Sequence, residues 1–145
     1  MKKYYGKYRA VVKDTVDPEK RGRIRVECPA VYGQGNISKW CLPCFQAGVF
    51  SIPPKNSLVW IEFEEGDKNN PIWVGVFYTK TAFSELFDAE GYDPKCVYIR
   101  AYKDIWIRCP NKAFINRNQK NSGSVWSGRF DAFDLTADGK QVQTK

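Results

Sequence analysis

Short apolar runs separated by polar, turn-rich stretches recur along the chain, and inside most runs the period is two. The clearest case is residues 56–78, NSLVWIEFEEGDKNNPIWVGVFY. Val59, Ile61 and Phe63 alternate with Leu58, Trp60 and Glu62, the spacing of a strand rather than a helix. A polar stretch over 64–70, with Gly66, Asp67, Asn69 and Asn70, separates this run from a second one at 71–78. Pro71 has no N–H to donate, which suits the first position of a strand. The segment predicts a hairpin with a longish polar loop.

The same period marks earlier strands. In residues 4–13, YYGKYRAVVK, one face carries Tyr4, Gly6, Tyr8, Ala10 and Val12, with Gly6 predicting a bulge or sharp bend. A loop, DTVDPEKRG, covers 14–22. Residues 23–27 form a second strand with Ile24 and Val26 inward and Arg23, Arg25 and Glu27 outward, the alternation of a sheet with one wet face. Residues 29–38, PAVYGQGNIS, predict a surface loop, 40–44 a short third strand, and 45–54 an irregular stretch closed by Pro53-Pro54. The hairpin supplies strands four and five. Five short strands within residues 4–78, with no helix between them, predict an all-β fold: a five-stranded OB-fold Greek-key barrel.

After Tyr78 the pattern changes. Residues 79–95 read as a linker with one helical turn around 83–88, closed by Gly91 and Pro94. Residues 96–109, CVYIRAYKDIWIRC, alternate on both sides of Tyr102-Lys103-Asp104 and predict a second hairpin. From Pro110 the chain is polar, with too little apolar material for a core of its own. The expected organisation is a barrel over 1–78, a linker over 79–95, and a short β-rich extension over 96–145.

Composition sharpens this picture. An aromatic share of 15% favours sheet, and 43% apolar residues suffice for a core. No run reaches the roughly 18–20 apolar residues of a membrane helix. The N-terminus, MKKYYGKYRAVVKD, has no apolar h-region, so no secretory signal is expected. The charge of +7 admits an acidic or nucleic-acid partner, but the basic residues are scattered along the chain. Lys20, Arg21, Arg23 and Arg25 with Tyr4, Tyr5, Tyr8, Trp40 and Trp60 form the candidate set for single-stranded nucleic acid on a barrel. Trp60 and Trp73 sit inside apolar strands, where packing is the commoner role.

The chain has no histidine, which removes the commonest general base and metal ligand together. Five cysteines, an odd number, predict free thiols. Cys41 and Cys44 have half the spacing of a zinc site, yet Cys28, Cys96 and Cys109 are single, and positions i and i+3 of a strand face opposite ways. Structural thiols are the expectation. Glu62, Glu64, Glu65 and Asp67 are read as a charged hairpin mouth rather than an acid pair. No cofactor, metal or catalytic residue is expected.

Several of these segments together resemble one family. Asp17-Pro18-Glu19-Lys20-Arg21-Gly22-Arg23-Ile24-Arg25-Val26 resembles the pattern Asp-Pro-x-x-x-Gly-Arg-(Val/Ile)-(Lys/Arg)-Val. This pattern opens the OB domain of phage baseplate central-spike proteins, of the gene-product-five and baseplate-assembly-V type, and is shared with type VI secretion spikes. Trp40-Cys41-Leu42-Pro43-Cys44 is similar to their Trp-(Ala/Val/Cys)-(Arg/Leu)-(Pro/Val) strand. Residues 56–67 resemble Gly-Asp-x-Val-Trp-Val-x-Phe-Glu-x-Gly-Asp, with Asn56-Ser57 in place of Gly-Asp. Pro71-Ile72-Trp73-Val74-Gly75 continues the match.

The resemblance implies a structural tail protein, not an enzyme, on the virion baseplate and made in the host cytoplasm. It implies a homotrimer between a tail hub protein and a spike-tip or needle protein, meeting a membrane only during penetration, with nucleic acid an unlikely partner. The chain after Tyr78 is too short for the lysozyme domain many members carry, and it lacks valine-glycine needle repeats. The segment 96–109 is similar to the first strands of the trimeric β-prism in spike proteins. The residues expected at the subunit interface are Trp106, Ile107, Phe114, Trp126 and Phe130. Trp60, Phe63, Trp73 and Val74 are the expected packing anchors of the barrel.

Overall fold

The computed structural model describes residues 1–87, 93–95, 97–106, 135–137 and 140–142. Alternation along β4 (Leu58–Phe63) sets the geometry of the sheet: Val59, Ile61 and Phe63 are buried, and Leu58, Trp60 and Glu62 stand half-buried on the other face. Antiparallel neighbours flank β4, with β1 (Tyr8–Asp14) on one side and β5 (Pro71–Val76) on the other. β2 (Arg25–Glu27) pairs antiparallel with β1, and β3 (Leu42–Pro43) runs parallel to β5. The order is β2-β1-β4-β5-β3. Bridges Ile24↔Cys41 and Glu27↔Ile37 then tie β2 to the chain leading into β3, so the two edges of the sheet curl toward each other. This curled, mixed five-stranded sheet is the OB fold that the strand count predicts.

The inward residues make one core: Ala10, Val12, Ile24, Val26, Val59 and Ile61, joined by Cys28, Val31, Cys41, Phe63 and Trp73. Each large side chain moved out of water there stabilises the fold by about 1.5–3 kcal/mol. Tyr4 and Tyr8 extend the core as an aromatic cluster around Phe63, with ring centroids 5.9 and 5.6 Å from it. A bend at Gly6 lies between them, so β1 begins at Tyr8 and not at Tyr4.

Three expectations need correction. Residues 29–38 are not simply a surface loop. Pro29 starts a short helix, α1 (Pro29–Tyr32), whose Val31 is buried, and Ser38 is 1% exposed. Pro at the first helical position presets φ and loses no hydrogen bond there, while Val31 and Tyr32 both donate to the Cys28 carbonyl. The third strand is shorter than 40–44 because Trp40 bulges out of register. Residues 79–87 hold a full helix, α2 (Lys80–Phe87), instead of a single turn at 83–88. It starts early because Thr79 Oγ1 accepts from the Ala82 N–H, capping the first turn.

The chain divides into two compact units, Met1–Arg100 and Ala101–Lys145. The hairpin expected over 96–109 is not formed by the described residues 97–106, which bend at Tyr102 and Lys103 without strand pairing. Ile107, Phe114, Trp126 and Phe130 lie outside the described residues. Farther on, β6 (Leu135–Ala137) and β7 (Lys140–Val142) form an antiparallel hairpin, inside the extension expected to be β-rich but at a position the sequence reading did not place. Its sequence signal is Asp138-Gly139 between the strands, a preferred two-residue hairpin turn.

Candidate interaction site at the barrel seam

The loop between β1 and β2 is organised by one carboxylate. Asp17 accepts from the N–H groups of Glu19 (3.0 Å), Arg21 (2.8 Å) and Arg23 (3.2 Å), and from Arg23 Nε (3.0 Å) and Nη2 (2.7 Å). Its side chain is 3% exposed. The Arg23 guanidinium, helped by these N–H groups against the effect of burial, holds the Asp17 carboxyl far below the usual carboxylate range. Arg23 in turn pairs with Glu19 at 3.0 Å. The Asp-Pro-x-x-x-Gly-Arg motif is therefore a self-closing loop.

Gly22 finishes that loop for two reasons. Its φ is +77°, and a Cβ would stand 2.9 Å from the Phe45 ring and 3.0 Å from Phe50. Trp73 Nε1 donates to the Gly22 carbonyl at 3.1 Å, and Phe45 packs edge-on against Trp73. The motif glycine and the motif tryptophan are thus one contact. The Glu-Glu-Gly-Asp turn works similarly. Gly66, at φ +74°, offers its carbonyl to the Tyr4 N–H and leaves 3.0 Å for the Tyr5 ring where a Cβ would sit.

Next to the Asp17 loop the seam carries a bulge. Ser38 and Cys41 pair with Val26 and Ile24, so Lys39 and Trp40 together stand opposite Arg25 alone. Buried Ser38 pins the bulge: its Oγ accepts from the Val26 N–H (2.9 Å) and donates to the Lys39 carbonyl (2.7 Å). Trp40 is thereby turned outward, with Arg23 Cζ 5.7 Å and Arg25 Cζ 5.8 Å from its ring centroid. Arg25 Nε donates to the Ser38 carbonyl at 3.0 Å. The result is an open cleft of about 520 Å³ lined by Arg23, Arg25, Ile37, Lys39, Trp40 and Asn69.

Only part of the basic and aromatic set from the sequence meets here. Arg23, Arg25 and Trp40 come together, whereas Tyr4 and Tyr8 pack on Phe63. Trp60 lies half-buried on the outer face, 4.7 Å from Phe77 and under the Arg9 guanidinium. Of the expected anchors, Phe63 and Trp73 are in the core. Val74 is half-buried as the extra residue of a bulge, between Ile61↔Trp73 and Trp60↔Gly75. Ile37, Ser38 and Lys39 were not singled out by sequence, since a bulge leaves no periodic signal, and Asn69 was read only as part of the polar β4–β5 loop.

The other constellations stay apart. Glu62 pairs with Lys7 at 2.6 Å, and Asp67 accepts from both the backbone and the side chain of Asn69. Cys41 is buried and Cys44 exposed, on opposite sides of the strand. Burial pushes the Cys41 thiol up to about 11 and raises Cys28 as well, the reverse of a reactive thiolate. Among the described residues no three metal-binding side chains cluster, and no helix is long and apolar enough to cross a membrane.

Comparison with curated proteins finds no match. Comparison with family models finds one over residues 8–78, the Type VI secretion system/phage-baseplate injector OB domain. The match begins at the first residue of β1 and ends two residues after β5, so it spans the curled sheet and the seam. That family is a structural baseplate domain, and the likeness supports a baseplate-associated structural role. Over its barrel, this chain resembles the OB domain of phage-baseplate and type VI secretion injectors.

Proposed function

We propose that the chain is a homotrimeric central-spike protein of a contractile phage or phage-like tail, joining the tail hub to a cell-puncturing tip. The observation that carries this reading is the pairing of a baseplate-type barrel with an apolar, exposed segment beyond it. Val97 is 88% exposed and Ile99 77%, although both lie in an alternating run suited to a strand. Three such runs, one from each copy, satisfy one another as a β-prism, since a lone hairpin is marginal in water. Trp106, Ile107, Phe114, Trp126 and Phe130 then supply the apolar contacts between copies. The barrel faces the hub, and residues 96–145 lead toward the tip or needle protein.

Native mass measurement tests this directly, on the purified chain alone and mixed with the hub protein of the same tail. A species of three times 16.7 kDa is expected in at least the second condition. A species of 16.7 kDa in both refutes the reading.

A further inference from the structure

We propose that the seam cleft is a docking site for an extended acidic segment of a partner protein, with Arg25 and Lys39 holding its carboxylates beside Trp40. The two arginines at Trp40 are not equivalent. Arg23 is committed to Asp17 and Glu19. Arg25 has no carboxylate partner among the described residues, and its only hydrogen bond there is from Nε to the Ser38 carbonyl. This bond orients the fork and leaves its two terminal nitrogens for a bidentate carboxylate. Lys39 is exposed and forms no ion pair among the described residues; its charge is felt at Asp67, whose carboxyl it helps lower. Ile37, 47% exposed, gives the cleft one apolar wall.

The same geometry disfavours single-stranded nucleic acid. Base stacking needs an open aromatic face, and the Trp40 ring already carries two guanidinium groups. Carboxylates also break up the positive field: Glu19 sits on Arg23, and Asp67 holds Asn69. A backbone with a phosphate at every step meets these charges, while a peptide can place one or two carboxylates between them. Ser38 fixes the bulge before any partner arrives, so little ordering cost falls on binding. The inference rests on the cleft alone and is independent of the trimeric reading.

The test uses the full chain with tryptophan indole N–H groups observed by NMR, the Trp40 signal being assigned with Trp40→Phe. The probes are a short peptide alternating glutamate and valine, its glutamine counterpart, and oligothymidine. The glutamate peptide is expected to shift the Trp40 indole while leaving the Trp73 indole, which reports the fold, in place. Lys39→Gln, at an exposed position, and Arg25→Gln should each weaken binding by about tenfold, the loss of one charge-assisted pair. Binding should also weaken with added salt. An unmoved Trp40 indole at millimolar peptide overturns the proposal, as does equal binding of the glutamine peptide. Tighter binding of oligothymidine than of the acidic peptide overturns it in favour of nucleic acid.

Discussion

β4 and residues 97–106 share a pattern of alternating apolar residues and meet opposite fates. In β4 the strands β1 and β5 stand on either side, and Val59 and Ile61 are wholly buried. In VYIRAYKDIW, Val97 and Ile99 alternate just as regularly and are left 88% and 77% exposed. Alternation thus specifies a strand's two faces but does not supply the neighbour that covers one of them. β4 finds its neighbours within the barrel; in the later segment Tyr98 meets the Phe87 ring and Arg100 donates to the Glu85 and Leu86 carbonyls, while Val97 and Ile99 stay uncovered. Polar pairing follows the same division: the barrel closes its own charges at Asp17, whereas the seam next to it leaves Arg25 uncommitted.

The widest break between the two regions comes from truncating a covered residue. Ile61 is 0% exposed and lies opposite both Tyr8 and Trp73. Ile61→Ala removes buried carbon from the centre of the sheet, where flanking strands prevent collapse into the space. It should cost about 2–5 kcal/mol, read as a fall in the urea midpoint of the full chain. A loss below about 1 kcal/mol would mean that the core is looser than its burial shows.

A smaller effect is expected at Asp17, where the barrel is held by charge. Its carboxyl is depressed in the folded state, so its contribution is fully present above the unfolded value of about 3.9. That contribution is lost as pH falls through the lower folded-state value. Asp17→Asn keeps an acceptor oxygen but loses the ion pair with Arg23. Its Tm should fall by roughly 5 °C at neutral pH, and the gap to the parent protein should narrow as both are acidified below about pH 4. A gap that stays constant down to pH 2 would show that Asp17 acts through shape and not through charge.

What was legible beforehand follows the same physics. β4 was plain because each buried position repeats every second residue, and β5 because an apolar run opened by Pro71 follows a polar turn. Trp73 and Gly22 were visible as motif residues, but not as partners, since fifty-one positions separate them. α1 escaped because four residues cannot show a helical period, and Trp40 was placed inside a strand because a bulge erases alternation where it occurs. The cleft was accordingly half legible: Arg23, Arg25 and Trp40 stood out by type, while Lys39 and Asn69 reach it only through the bulge and the β4–β5 turn. The extension was read as β-rich, but β6 and β7 were not placed within it despite Asp138-Gly139, because short polar strands carry almost no apolar signal.

The smallest expected change is the most discriminating one for the two regions. Val97→Ser with Ile99→Ser alters two side chains that are mostly in water already, so the unfolding free energy of the chain by itself should stay within about 0.5 kcal/mol. The same substitutions put hydroxyls where the β-prism of the proposed trimer needs apolar contact, and a buried hydroxyl without a partner costs about 1–3 kcal/mol. Stability of the single chain and assembly should therefore separate: an unchanged urea midpoint at concentrations where the protein is monomeric, and loss of the threefold species by native mass. A large destabilisation of the monomer would show that Val97 and Ile99 are already covered within one chain. Unchanged assembly would place the subunit contact elsewhere, and the exposed alternation at 97–106 would then lose its part in holding three copies together.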